Sequence, residues 1–163
     1  MTESNATVAD SIRKLRQHCR NLVLATINAA NEPLASQTPF VLDADNNFLI
    51  LVSALAEHGR TLKNAVCVSV MLLPDEAGLA NPFARERLIY RCNVQPVLRG
   101  STQWQGGEKL LRQRFGKFVD TLLALPDFAM YRLQPVDGRY VAGFGAAYNI
   151  KGDQILPIGP PGK

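Results

Sequence analysis

Apolar and polar positions change period several times along the chain, and each change marks an element. Ile12, Leu15 and Cys19 recur at helical spacing, with Arg13, Lys14, Arg16 and Arg20 mostly opposite. Asp10 or Ser11 caps this helix, which is expected within residues 1–20. The period then drops to two. Strands are expected at 22–28, 33–43 and 48–53, separated by a polar turn at 29–32 and by the turn sequence DADNN at 43–47. Residues 48–53 (FLILVS) are apolar enough for a strand buried on both faces. A short helix at 55–65 leads into 66–73, also apolar on both faces. That suits a central strand with one face on the core and the other on a partner. After an irregular loop at 74–82, residues 83–97 read as a long strand. Ser101 or Thr102 caps a helix carrying Trp104, Leu111 and Phe115, and 117–125 continues as a second helical piece stopped by Pro126. A strand at 128–136 follows, and Asp137–Gly138 reads as the turn of a hairpin into 139–144. A small hairpin is expected at 150–155, within a loose tail of residues 149–163.

The order is helix, antiparallel strands, helical pair, then more strands, with short turns between most strands. It predicts a closed or nearly closed antiparallel β-barrel with peripheral helices, since closure removes the edges such apolar strands would expose. The 163 residues, 17.9 kDa, predict one domain with a core large enough to need no disulfides. Cys19, Cys67 and Cys92 form neither a disulfide framework nor a zinc pattern, and His18 and His58 have no ligand spacing, so no metal centre is expected. Nothing in the chain is long and apolar enough to span a bilayer helically, and MTESNATVAD lacks the regions of a signal peptide, so a cytoplasmic location is expected.

Net charge is only +4, but its distribution is uneven. Between residues 81 and 117, Arg85, Arg87, Arg91, Arg99, Lys109, Arg112, Arg114 and Lys117 meet only Glu86 and Glu108. Such an excess attracts anions: nucleic acid, a phosphate-bearing cofactor, a haem propionate, or solvent counterions alone. Nucleic acid is disfavoured because no exposed aromatics interleave with the bases. On the long strand, Arg85, Arg87 and Arg91 alternate onto one face with Ile89, while Leu88, Tyr90, Cys92 and Val94 take the core face. That arginine face is either solvated or holds an anion. Residues 53–64 (SALAEHGRTLKN) bring His58, Arg60 and Lys63 together with the hydroxyls of Ser53 and Thr61 after a strand end. This is a phosphate cradle without P-loop glycines, or an exposed loop. Cys67 and Cys92 read as inert core thiols. No nucleophilic triad is apparent. The glycines of 138–147 (GRYVAGFGAA) suit either a planar ligand against the backbone or a barrel corner.

Residues 22–73, from LVLATINAANEPLASQTPFVL to CVSVMLL, resemble the first half of the pyridoxamine 5′-phosphate oxidase-like FMN-binding split barrels. FARERLIYRCNVQPV, LPDFAMYRLQPVDGRYVAGFGAA and SALAEHGRTLKN are similar to the HugZ/HutZ haem-utilisation branch of that superfamily. The resemblance runs from Leu22 to Tyr148. It implies an antiparallel split β-barrel, homodimeric, with two cofactor sites between the subunits. In flavin members the cofactor phosphate lies near the second strand and the turn after the third, which here means Ser36, Gln37, Thr38, Ser53, His58, Arg60 and Lys63. Arg85 and Arg87 would add charge, and Arg139, Gly143 and Phe144 of the other subunit would flank the ring. In the haem branch, His58, Arg87 and Asp127 match positions that line or brace the haem, with His58 and Asp127 paired across the interface. The chain departs from both patterns. Flavin members carry a base on the second strand, where this chain has none. The haem branch ligates iron through a histidine near its C-terminus, and no histidine follows His58 here. The iron ligand is the harder loss to replace. The expectation is therefore an FMN-binding, oxidoreductase-like homodimer that takes a small-molecule substrate or reductant, with no nucleic-acid or membrane partner. The alternatives are a haem-binding or haem-degrading utilisation protein with non-standard iron ligation, and a non-enzymatic cofactor carrier.

Overall fold

The computed structural model describes residues 5–77 and 81–158. Its elements run α1 (Asn5–His18), β1 (Asn21–Ile27), β2 (Pro33–Pro39), β3 (Val41–Leu42), β4 (Phe48–Ser53), α2 (Glu57–Leu62) and β5 (Cys67–Leu72). After a 3-10 turn at Pro82–Ala84 come β6 (Arg87–Val97), α3 (Thr102–Phe115), α4 (Phe118–Ala124), β7 (Phe128–Gly143), β8 (Ala146–Lys151) and β9 (Gln154–Pro157).

All strand pairs are antiparallel, and the main path through the sheet is β2-β1-β5-β6-β7-β4-β3. Its two ends are successive segments of the chain, joined at Phe40, so the sheet closes on itself there. The expected single strand 33–43 is thus two strands. Phe40 leaves the ladder, its N–H bonding to the Arg20 carbonyl, and the chain changes partner from β1 to β4. This is a split β-barrel. The split lies along β7, whose first part pairs with β4 and whose second part pairs with β8.

Alternation sorts β4 as its composition requires. Phe48, Ile50 and Val52 enter the barrel, while Leu49 and Leu51 pack beneath Trp104, Leu111, Val119 and Leu123 of the helical pair. Ser101 caps α3 by accepting the Trp104 N–H at 3.1 Å. The first helix begins a turn earlier than expected because fully buried Val8 extends the stripe of Ile12 and Leu15. This helix closes one end of the barrel. Its Arg16 guanidinium stacks 5.2 Å from the Phe48 ring centroid and 5.6 Å from that of Tyr90.

Three further expectations are corrected. Asp137–Gly138 makes no hairpin, and β7 runs straight through it. Asp137 is held by Arg91, and a side chain at Gly138 would collide with Ile89 and the Tyr90 ring, so this glycine serves packing. The real turn follows Gly143, with Gly145 at φ +74°. The long strand starts at Arg87, leaving Arg85 outside the ladder. The small hairpin expected at 150–155 is present as the β8–β9 hairpin over 146–157, so the tail expected to be loose from 149 is ordered through β9, and 159–163 lies outside the described residues.

Candidate cofactor site

Strand register lays Gln37, Val23, Met71, Ile89 and Arg139 side by side on the outer face of the sheet. Two cavities open along this row. One, of about 490 Å³, is lined by His18, Cys19, Arg20, Gln37, Met71 and Arg85 among others. The other, also about 490 Å³, lies where the start of β6 meets the β7–β8 turn. Ile89, Val141, Ala146 and Ala147 floor it, Arg87 and Arg139 supply charge, and Phe83, Gly143 and Phe144 complete its wall. A third cavity, of about 580 Å³, separates the β1–β2 turn from α2 and contains Arg60.

The sequence-predicted residues therefore fall into separate groups. Arg87, Arg139, Gly143 and Phe144 come together in the β6–β8 cavity. Gln37 and Arg85 share the first cavity. His58 and Arg60 ride on α2 and Lys63 caps its C-terminal end, next to Ser53 at the end of β4. Ser53 pairs with Phe128 at the start of β7, whereas Arg139 lies eleven positions further along that strand. At about 3.3 Å per residue this is about 36 Å of strand path. A single chain thus carries the α2 group and the β6–β8 group at opposite ends of β7.

Several nominated donors are already engaged. The Ser53 hydroxyl donates to Asp127 Oδ2 at 2.5 Å and accepts the Leu55 N–H. Thr38 is buried, and its hydroxyl donates to the Pro39 carbonyl. The Ser36 hydroxyl reaches the Leu24 carbonyl. Arg85 pairs with Glu76 and donates to the Pro74 carbonyl. The expected face of three arginines is not formed, since Arg85 is off the strand and Arg91 is paired with Asp137. Arg87 donates to the Arg85 carbonyl at 3.0 Å, and Arg139 has no hydrogen-bond or ion-pair partner among the described residues. His58 is half-buried, and burial lowers its pKa from the ordinary histidine value. Cys92 is buried and its thiol is pushed up to about 12, as expected of an inert core thiol. Cys67, by contrast, is exposed on the outer sheet face.

Haem oxygenase HutZ of Vibrio cholerae serotype O1 is 38% identical to the chain over 145 residues, 89% of this chain and 82% of that protein. The chain belongs to the HutZ family. No protein-family profile matches it. Among solved structures, HutZ from Vibrio cholerae, described as a haem storage protein, gives a TM-score of 0.73 at 36% identity over 77% of this chain and 88% of that one. ChuZ from Campylobacter jejuni gives 0.88 at 30% identity, covering 99% of this chain and 67% of its own. An FMN-binding, pyridoxamine 5′-phosphate oxidase-related protein from Nostoc punctiforme gives 0.60 at 12% identity over 95% and 96% of the two chains, a likeness of fold alone.

Sequence reasoning missed Phe83, Ile89 and Ile158 as cavity residues, and placed Val141, Ala146 and Ala147 only within the 138–147 stretch that suits a planar ligand, without singling them out. Ile89 and Val141 carry the signal in retrospect, because each lies two positions from a nominated arginine and shares its face of the strand. Phe83 carries none, since it reads as the first residue of a strand that starts later.

Proposed function

We propose that the chain binds haem and serves haem utilisation as a homodimer in which two chains complete each site. The observation that carries this reading is the β6–β8 cavity. Arg87 and Arg139, neither paired with an acid among the described residues, stand beside an apolar floor. A macrocycle with apolar faces and two carboxylates fits this donor set: guanidiniums take the acids and the floor takes the ring. FMN, the sequence-based expectation, is the poorer fit. The Ser53 and Thr38 hydroxyls and the Arg85 guanidinium, assigned to its phosphate, already have protein partners. The haem-named relatives support the same choice.

Bound haem would activate oxygen, with electrons from an external reductant. The chain's own residues would hold and orient the group. Arg87 and Arg139 would fix the carboxylates, while Ile89 and Val141 would keep water from the ring. The dimer follows from the apolar outer row of Val23, Met71 and Ile89, and from the separation of the α2 and β6–β8 groups along β7. A two-fold partner brings one group of each chain to the other.

Titration with haemin, followed in the Soret band, tests the reading together with light scattering. Scattering is expected to give twice the 17.9 kDa chain mass. Arg139→Ala is expected to weaken haemin about ten- to a hundredfold, as for a lost charge-assisted contact. Tighter binding of FMN than of haemin, or haemin affinity indifferent to Arg139, overturns it.

A further inference from the structure

We propose that the β6–β8 cavity recognises a tetrapyrrole by its ring faces and acid groups, independently of the metal, and that Phe83 and Phe144 grip the ring. The inference rests on the haem reading above and names what that site selects. Both phenylalanines line the cavity, yet they are 86% and 84% exposed. Large aromatic side chains left in water cost free energy, and these two sit at the mouth of one apolar cavity. They arrive from unrelated parts of the chain. Phe83 projects from the 3-10 turn capped by Asn81, and Phe144 from the tight β7–β8 turn beside Gly145. Every side chain contributed by the described lining residues is apolar, aromatic or a guanidinium. Such a set stacks on a conjugated plane and pairs with carboxylates, and neither contact depends on what fills the macrocycle centre. The chemical class is a planar or near-planar tetrapyrrole acid, with metal-free and metallated rings held alike.

The test titrates the whole protein with haemin, metal-free protoporphyrin IX and protoporphyrin IX dimethyl ester. Quenching of the single tryptophan, Trp104, serves as readout alongside porphyrin absorption. Metal-free protoporphyrin is expected to bind within about threefold of haemin. Phe83→Ala and Phe144→Ala are each expected to weaken both ligands by the same factor, about tenfold. Phe83→Leu, which keeps apolar bulk but not the ring, is expected to fall between. The dimethyl ester is expected to bind weakly and to ignore Arg139→Ala. Metal-free protoporphyrin binding more than a hundredfold weaker than haemin overturns the inference but leaves the haem reading standing. So does a Phe83→Ala protein that melts like wild type and binds both ligands unchanged. Failure of haemin itself to bind overturns both.

Discussion

Gly59 decides where α2, and with it His58, Arg60 and Lys63, sits against the barrel. A Cβ built there overlaps the Ser53 carbonyl oxygen and comes within 2.8 Å of its carbon and 3.3 Å of Ala54 Cα. These obstacles are backbone, so no rotamer change relieves them. Either α2 or the end of β4 must move by about 1 Å, and overpacking of this kind costs roughly 1–3 kcal/mol. Helix propensity runs the other way, with alanine better than glycine by up to about 1 kcal/mol. The steric effect wins, and Gly59→Ala is expected to be destabilising by about 1–2 kcal/mol net. For a chain of this size that lowers Tm by roughly 2–8 °C. Gly106→Ala is the control. It lies exposed within α3 with nothing within 4 Å of a new Cβ, so the same substitution is expected to raise Tm by about 2–4 °C. Melting followed by far-UV circular dichroism reads both. A Gly59→Ala protein melting at or above the wild-type temperature refutes the claim that this glycine seats α2 on Ser53.

Two other expectations concern titration and reactivity. Burial depresses the His58 pKa in the fold, so the unfolded chain binds this proton more readily. The stability tied to neutral His58 is present above the unfolded value of about 6.5 and is lost as pH falls through the lower, folded value; His58→Gln is expected to flatten Tm against pH in that acid window, and an unaltered profile sinks the argument. At pH 8, a thiol reagent is expected to label at most one cysteine per native chain promptly, namely exposed Cys67, with Cys19 and Cys92 reacting only in denaturant; two fast thiols contradict the burial that raises both of their pKa values.

The barrel was readable in the sequence where one physical signal dominated. FLILVS has no polar residue before its final serine, and a strand with that composition needs two covered faces, which the barrel interior and the α3–α4 layer provide. Misreadings arose where a local signal had a tertiary use. Asp137–Gly138 carries hairpin chemistry, but Arg91 takes the carboxylate and the Tyr90 ring takes the space a side chain would need. The 33–43 segment keeps a strand pattern through Phe40, and only barrel closure makes it change partners. The candidate site was half readable. Glycines and arginines around the β7–β8 turn mark the cavity, whereas Phe83 is placed there by a 3-10 turn that leaves no period in the sequence.

Charge shows why the site could not be read by counting. Eight bases between residues 81 and 117 suggest a broad anionic partner surface. In the fold, Arg91 meets Asp137, Arg112 bridges Glu108 and Asp120, and Arg85 pairs with Glu76. Arg99 donates to the carbonyls of Leu123, Leu125 and Phe128 while lying 4.6 Å over Trp104, and Arg114 donates to those of Gln17 and Cys19. The last two satisfy carbonyls near helix ends and chain turns, where a guanidinium replaces water. Much of the basic excess therefore holds the helices and loops to the barrel. Arg139, outside that basic stretch, has no partner among the described residues and stands beside Arg87 over an apolar floor. Two cations at a hydrophobic cavity select an amphiphilic acid. A uniformly basic surface would attract any polyanion, and the internal pairing removes most of that surface.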